Sequence, residues 1–288
     1  MRFLITVLVT MLSTLHVYAR AQNDQARQAR HSKYMENAEV RHLADSTISV
    51  TANDARPLAQ AVTAVSEEFG WAIDFEDPPY YSKYDLVDDT DSRWRAAHPT
   101  ANGVTVIAGD TFQTQFLKTP DTDTLLAEEE RVLDSVVSDY NASANPGRFA
   151  VRNEGDGRFA IVGTSVKDEN GQDQTISPIL DTPISIQEET RDANTTIEVI
   201  LNALTVKSGA KVVPFMVPRS ALARSQVTVG GENIPARVLL QQTLSEAKMK
   251  EYWRLYYDHD VRMYGFSLLP LMKAHYDASG NRTTVLAR

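Results

Sequence analysis

The hydrophobic and polar positions along the chain predict a unit of strand, helix and strand near its start. Ile48 and Val50 alternate with polar residues, which is typical of a half-buried strand. Pro57 suits the first turn of the helix that follows, and Gly70 suits the position just after its last residue. The apolar residues between them recur at helical spacing: Leu58, Ala61, Val62, Val65 and Phe69. A second strand is predicted from the alternation of Trp71, Ile73 and Phe75.

This stretch resembles the short secretin and TonB N-terminal domain, called STN, over residues 47–77. The residues that carry the resemblance are Ile48, Val50, Arg56-Pro57-Leu58, Ala61, Val65, Gly70 and Ile73. A second copy of the pattern lies at residues 227–268, where Ile234-Pro235 opens a helix. The region around Arg56-Pro57 is also similar to secreted bacterial proteins, which implies no activity. STN domains contact partner proteins or signalling peptides without catalysis, so the resemblance implies a binding function.

The rest of the pattern predicts two similar halves. In the first half an amphipathic helix through residues 125–140 precedes a hairpin at residues 149–162. In the second half a helix at residues 195–208 and a strand at 211–215 precede a hairpin at 253–266. Because Asp156-Gly157-Arg158-Phe159 aligns with Asp260-Val261-Arg262-Met263, we predict a divergent duplication. The predicted fold is α+β, with two βαβ-containing halves, each a mixed sheet covered by amphipathic helices.

The chain start is typical of an exported protein. Arg2 precedes an apolar run from Phe3 to Leu15, and Ala19-Arg20-Ala21 suits signal peptidase, so we expect cleavage after Ala21 and a periplasmic or secreted product. The run is shorter than the ~20 apolar residues of a spanning helix, so we expect no permanent membrane anchor. The predicted parts are a signal peptide (1–21), a polar lead segment (22–46), the first half (47–165), a linker (166–183), the STN-like second half (184–270) and a polar tail (271–288).

Composition narrows the classes of partner. The chain has no cysteine, which excludes disulfides and thiolate chemistry, and its formal net charge is -9. An acidic surface without a dense Lys/Arg stripe repels phosphates, so we expect no nucleic-acid partner. No phosphate-binding glycine loop or dinucleotide fingerprint occurs in the sequence, and we expect no cofactor.

Candidate catalytic groups follow the second strand. Glu76 and Asp77, with His98 further along, are the residue types that act as acid and base in hydrolysis of wall glycan or peptide. The alternative is structural, because Asp74 alternates with Ile73 and Phe75 and is predicted to face solvent. Glu76-Asp77-Pro78 also suits a turn.

An acidic segment beyond this turn is a candidate calcium site. Its carboxylates are Asp85, Asp88, Asp89 and Asp91. Hard cations bind several such oxygens, but the spacing does not fit an EF-hand loop, and a solvated loop is the alternative.

Aromatic residues supply the candidate contact surface. Tyr80, Tyr81 and Tyr84 follow the second strand, and Trp94 lies nearby. Tyrosine and tryptophan are favoured where an apolar surface meets water, so these four residues are predicted to bind protein, peptide or glycan. The sequence therefore favours a non-catalytic binding or assembly module of the bacterial cell envelope. The alternatives are a small secreted hydrolase using Glu76, Asp77 and His98, and a structural envelope protein.

Overall fold

The computed structural model of the chain describes residues 37–101, 103–117, 125–155, 157–277, 279 and 281–287. The predicted signal peptide and residues 22–36 of the predicted lead segment lie outside these residues. Helices and mixed sheets confirm the predicted α+β class. No helix in the described part of the chain is long and apolar enough to cross a membrane.

The described residues up to Lys167 contain eight strands and three α-helices. They are β1 (Glu39–His42), β2 (Thr47–Asn53), α1 (Pro57–Phe69), β3 (Ile73–Glu76), β4 (Leu86–Asp88), α2 (Ser92–Ala97), β5 (Thr105–Ile107), β6 (Thr111–Leu117), α3 (Leu125–Ala142), β7 (Arg148–Gly155) and β8 (Arg158–Lys167). The predicted helix α1 is confirmed. Pro57 is its first residue, and Gly70 ends it in a left-handed conformation (φ 73°) with its N–H donating to Ser66 O.

The linker, the second half and the tail contain the remaining elements. They are β9 (Asp173–Thr175), β10 (Pro183–Asp192), α4 (Ala193–Ser208), β11 (Lys211–Pro214), α5 (Arg219–Leu222), β12 (Gln226–Pro235), α6 (Ala236–Glu246), β13 (Glu251–Asp258), β14 (Met263–Pro270), β15 (Met272–Tyr276) and β16 (Arg282–Leu286). The side chain of Asp192 caps α4 by accepting from Thr195 N.

A seven-stranded central sheet joins the two halves. Six strands lie in the order β11, β14, β13, β3, β8, β7, and β9 pairs with the end of β8. β3 lies in the middle and is parallel to both neighbours, β13 and β8. Because a parallel strand between two partners is normally covered on both faces, β3 is the most enclosed position of the sheet.

The two faces of the central sheet carry separate hydrophobic cores. On the first face, Ile73 and Phe75 pack with α1, α3 and the small sheet of β1, β2 and β6. Aromatic rings link these layers, because Tyr140 of α3 lies 5.3 Å from Phe112 and 5.5 Å from Phe149. On the second face, the core contains residues of α4, α6 and the two-stranded sheet of β10 and β12. Each half therefore covers one face of a shared sheet.

The halves share their topology. In each, an antiparallel strand pair (β2 with β6, β10 with β12) brackets a helix and a strand that belongs to the central sheet, β3 or β11. This strand is parallel to the second strand of the hairpin that follows, as β3 is to β8 and β11 to β14. Common ancestry of the halves stays a prediction.

The strand registers of the two hairpins match each other with an offset of one residue from the predicted alignment. Asn153 pairs with Phe159, and Tyr257 pairs with Tyr264, at the equivalent place in each hairpin. Phe159 and Tyr264 also both pack into the core of their own half. Phe159 therefore corresponds to Tyr264 and not to Met263.

The segments predicted as lead, linker and tail contain regular structure. Residues 39–42 of the lead form β1, which pairs with β2. The linker contains the end of β8 and all of β9. The polar tail forms the hairpin of β15 and β16, and Tyr276 Oη donates to Glu68 Oε2 of α1 over 2.7 Å. Strands at the edge of a structure bury few side chains, so their sequences lack the apolar pattern that marks inner strands.

Candidate functional site

The carboxylates of β3 lie inside the protein. Asp74 is 0% exposed, which contradicts the prediction that it faces solvent. The prediction failed because α4, α6 and the sheet of β10 and β12 cover the second face of the central sheet. Asp74 Oδ1 accepts from Trp253 N over 2.7 Å, and Arg158 Nη2 donates to both carboxylate oxygens at 2.9 and 3.0 Å.

Glu76 is the centre of a buried network of charges. Its Oε2 accepts from Arg237 Nη2 over 2.5 Å, and its Oε1 accepts from Leu180 N over 3.2 Å. The same arginine donates to Glu154 over 3.1 Å and to Asp181 over 3.0 Å. A buried guanidinium thus bridges three carboxylates that come from separate elements of the chain.

Asp77 has its own arginine. Arg56 Nε donates to Asp77 Oδ2 over 2.6 Å, and Arg56 Nη2 donates to Tyr257 O over 2.7 Å. Burial raises the pKa of Asp77, of Glu76 and of Asp74, while the arginine facing each carboxylate acts in the opposite direction. Burial also raises the pKa of Glu154 to about 7, against the pull of Arg237.

The predicted hydrolytic trio is not assembled. His98 lies exposed at the end of α2, where its ring stacks on Trp94 at 4.8 Å. Across the described residues, no hydrogen bond or ion pair links His98 to Glu76 or Asp77. Since both carboxylates are enclosed and bound to arginine, neither is placed to meet a substrate.

Of the predicted contact residues, the tyrosines occupy different environments. Tyr80 is 2% exposed, so its predicted role on a contact surface is wrong. The turn after β3 directs its ring inward against Gly147, and its hydroxyl donates to Pro146 O over 3.4 Å. Tyr81 and Tyr84 are exposed. Tyr81 Oη donates to Gln174 of β9 over 2.5 Å, and the Tyr84 ring lies against Gly171 in the turn that joins β8 to β9. Trp94 is half-buried on α2.

The acidic segment is engaged in local contacts. Asp85 is buried and accepts from Lys167 N over 2.7 Å. Asp88 pairs with Arg95 at 2.5 Å, and Asp91 caps α2 by accepting from Trp94 N over 2.8 Å. Asp89 is tied through its backbone, whose N–H donates to Val104 O. Among the described residues, no group of three or more His, Asp or Glu side chains is arranged to hold a metal ion.

A cleft opens on the second face, where the chain leaves β3. Its volume is about 910 Å³, within the ~300–1,000 Å³ range typical of ligand sites. The wall formed by residues 175–183 contributes Ile176, Pro178 and Ile179. The opposite side contributes Tyr257, Tyr264 and Arg262 of the second hairpin, together with the residues that follow α4.

Charged groups of the cleft connect to the buried network. Arg152 lines the cleft and pairs with Asp181 at 2.5 Å, and Asp181 in turn binds Arg237. Arg262 is exposed at the rim. The cleft therefore combines apolar side chains with two guanidinium groups, which match carboxylates in shape and charge.

Sequence reasoning missed this cleft because its lining comes from segments far apart in the chain. Nothing in the local pattern of Ile176-Ser177-Pro178-Ile179 distinguishes a cleft wall from an ordinary loop. An available signal is charge at the ends of the predicted hairpin strands, where Arg152 and Arg158 adjoin apolar runs. An arginine that a sheet buries needs a carboxylate partner, and Asp74, Glu76 and Asp77 are candidates for it.

Comparisons of the chain with protein-family models, with curated proteins and with solved structures give no match.

Proposed function

We propose that the chain is a non-catalytic binding module that takes an extended peptide segment of a partner protein into the cleft at residues 175–183. The observation that carries the proposal is the composition of this cleft. Ile176 and Ile179 offer apolar contact, and Arg262 at the rim offers charge-assisted hydrogen bonds to an acidic side chain or a terminal carboxylate, while Arg152 pairs with Asp181 in the cleft lining.

A peptide is favoured over a glycan by the exposure of the aromatic rings. Glycan sites present the flat face of an aromatic ring to the ligand. In this cleft Tyr257 and Tyr264 are buried and pack on each other at 4.9 Å. The two rings therefore pack against each other in the cleft wall, and the groups that remain to contact a ligand are aliphatic side chains and guanidinium groups.

Catalysis has no comparable support. The carboxylates that hydrolysis would need, Glu76 and Asp77, are buried and each is paired with an arginine, Arg237 and Arg56. Removing that arginine from either group costs free energy of folding, so these pairs serve the fold.

The proposed place of action is the bacterial cell envelope. The apolar run behind Arg2 and the Ala19-Arg20-Ala21 sequence support export, and the absence of cysteine suits a protein that needs no disulfide. The resemblance of residues 47–77 and 227–268 to STN domains is compatible with a role in contacting envelope proteins or peptides.

A peptide selection tests the proposal. A random displayed nonapeptide library is selected on the purified chain, and the enriched peptides are titrated by fluorescence polarisation. We expect peptides with an acidic residue beside apolar ones. Arg262→Glu and Ile176→Asp should each weaken binding at least about tenfold, which is about 1.4 kcal/mol.

The matched control is Arg93→Glu, an exposed arginine on α2 outside the cleft. It applies the same charge reversal and should bind the peptides like the native chain. Failure to enrich any peptide, or equal binding by the native chain and both cleft variants, would contradict the proposal.

A further inference from the structure

The central sheet ends in two strands that have a free side. β7 pairs with β8 and β11 pairs with β14, and neither has a second strand partner among the described residues. Beside β11, the side chains of Phe215 and Met216 are 71% and 52% exposed. On the outward side of β11, the N–H and C=O of Val212 are both bonded to Thr205 Oγ1, at 3.0 and 3.3 Å. The groups that remain for another strand are the Pro214 C=O and the Met216 N–H, beside the exposed apolar side chains.

The fold already contains a seam of matching topology. The halves meet where β13 of the second half runs parallel to β3 of the first, with Leu255 opposite Glu76. Asp77 N donates to Leu255 O over 2.9 Å at this seam. By its place in the topology, β11 corresponds to β3 and β7 corresponds to β13. The two free strands are therefore the counterparts of the two strands that join the halves.

The correspondence extends to single residues. Phe149 corresponds to Trp253. Phe149 lies four residues before Asn153, which pairs with Phe159, and Trp253 lies four residues before Tyr257, which pairs with Tyr264. The backbone N–H of each donates to a side chain, Asn141 Oδ1 for Phe149 and Asp74 Oδ1 for Trp253. Two residues further along each strand, the backbone again faces away from the hairpin partner. These residues are Leu255 in β13 and Val151 in β7.

We propose that copies of this chain associate head to tail, with β11 of one copy pairing in parallel with β7 of the next. In this arrangement Phe215 lies opposite Val151, as Glu76 lies opposite Leu255 within the chain. Met216 follows β11 as Asp77 follows β3, and its N–H donates to the C=O of Val151 in the next copy. The contact is heterologous, so each added copy again presents a free β11 and a free β7, and the assembly grows as a chain.

Two residues limit the strength and the choice of partner. Pro214 has no N–H, and Lys211 places a charge at the start of β11. Both features discourage pairing with an arbitrary strand. The seam between copies is thus weaker than the seam within the chain, and the association depends on concentration.

A cross-linking experiment tests the proposal without disturbing the fold. The chain has no cysteine, so introduced thiols are its only ones. Opposed residues on neighbouring strands lie within ~4.4–6.8 Å between Cα atoms, which a disulfide spans. Under oxidation, the double variant V151C with F215C should give a ladder of dimers, trimers and longer species on a non-reducing gel.

The single variants distinguish the possible geometries. Each single variant should remain a monomer, and mixing the two should give a dimer and nothing larger, because each copy then holds one thiol. A dimer from F215C alone would show that β11 pairs with itself about a twofold axis and would overturn the proposal. Absence of any ladder from the double variant at the highest concentration the protein reaches would also overturn it.

Discussion

Glu76 of β3 and Arg237 of α6 form an ion pair of 2.5 Å inside the protein, and their side chains are 1% and 7% exposed. The pair connects the central strand of the first half to a helix of the second. Buried ions must be matched closely, because each has lost its hydration. This pair therefore fixes how α6 lies on the sheet, and with it one wall of the cleft, since Arg237 also binds Asp181.

Removing the arginine should leave buried charge without a partner. For Arg237→Leu we expect a loss of about 3–5 kcal/mol in the free energy of unfolding at pH 7, measured by urea denaturation followed by circular dichroism. Adding Glu76→Leu should recover part of that loss, because the uncompensated carboxylate is then gone. Arg224→Leu, at an exposed position, should change stability by no more than about 0.5 kcal/mol. Equal effects of Arg237→Leu and Arg224→Leu would refute the structural role.

Glu129 on α3 should make stability fall as pH rises. The residue is 4% exposed, its Oε1 has no hydrogen-bond partner among the described residues, and burial raises its pKa from 4.5 to about 8. Below pH 4.5 the carboxyl is protonated in both states. Between pH 4.5 and 8 the unfolded chain loses this proton first, so the free energy of unfolding falls, by about 5 kcal/mol at most.

Glu129→Gln should remove that contribution. We expect the variant to be more stable than the native chain at pH 9 and close to it at pH 4, as measured by urea denaturation at both values. Glu130→Gln, on the exposed side of the same helix, serves as the control and should follow the native curve. A native and a Glu129→Gln protein with the same dependence on pH would contradict the assignment.

Tyr80 and Tyr84 should respond differently to truncation. Tyr80→Ala removes a buried ring that packs beside Gly147, and we expect a loss of about 3–5 kcal/mol, the cost typical of deleting a core aromatic side chain. Tyr84→Ala removes an exposed ring and should cost less than about 1 kcal/mol. Thermal denaturation of both variants measures the difference, and a similar loss for the two would count against the inward position of Tyr80.

The sequence predicts those elements whose start, apolar pattern and end are all specified by their own residues. α1 has its proline at the start, its apolar stripe and its glycine at the end, and it lies where that pattern placed it. The hairpins were also found, since polar residues such as Asp258 interrupt two runs of alternating apolar residues. Local chemistry fixes such elements, so a single window of sequence contains the necessary information.

The pairing between elements could not be predicted in the same way. Alternation along Ile73, Asp74 and Phe75 predicts a strand with one solvated face, yet β3 is covered on both faces because the second half packs across it. Which arginine meets which carboxylate depends on that packing. The burial of Tyr80, the burial of Asp74 and the cleft all follow from contacts between residues that lie far apart in the chain, such as Tyr80 with Pro146 and Asp74 with Arg158.

The most direct test of the proposed function is a map of amide hydrogen exchange, with and without a saturating amount of a peptide enriched on the native chain. Binding in the cleft should slow exchange in residues 175–183 and at the start of β14, while residues 81–84 stay unchanged. Protection confined to residues 81–84 would place the contact on the exposed tyrosines, and protection nowhere would mean that the chain holds no such peptide. Either result would contradict the cleft as the binding site.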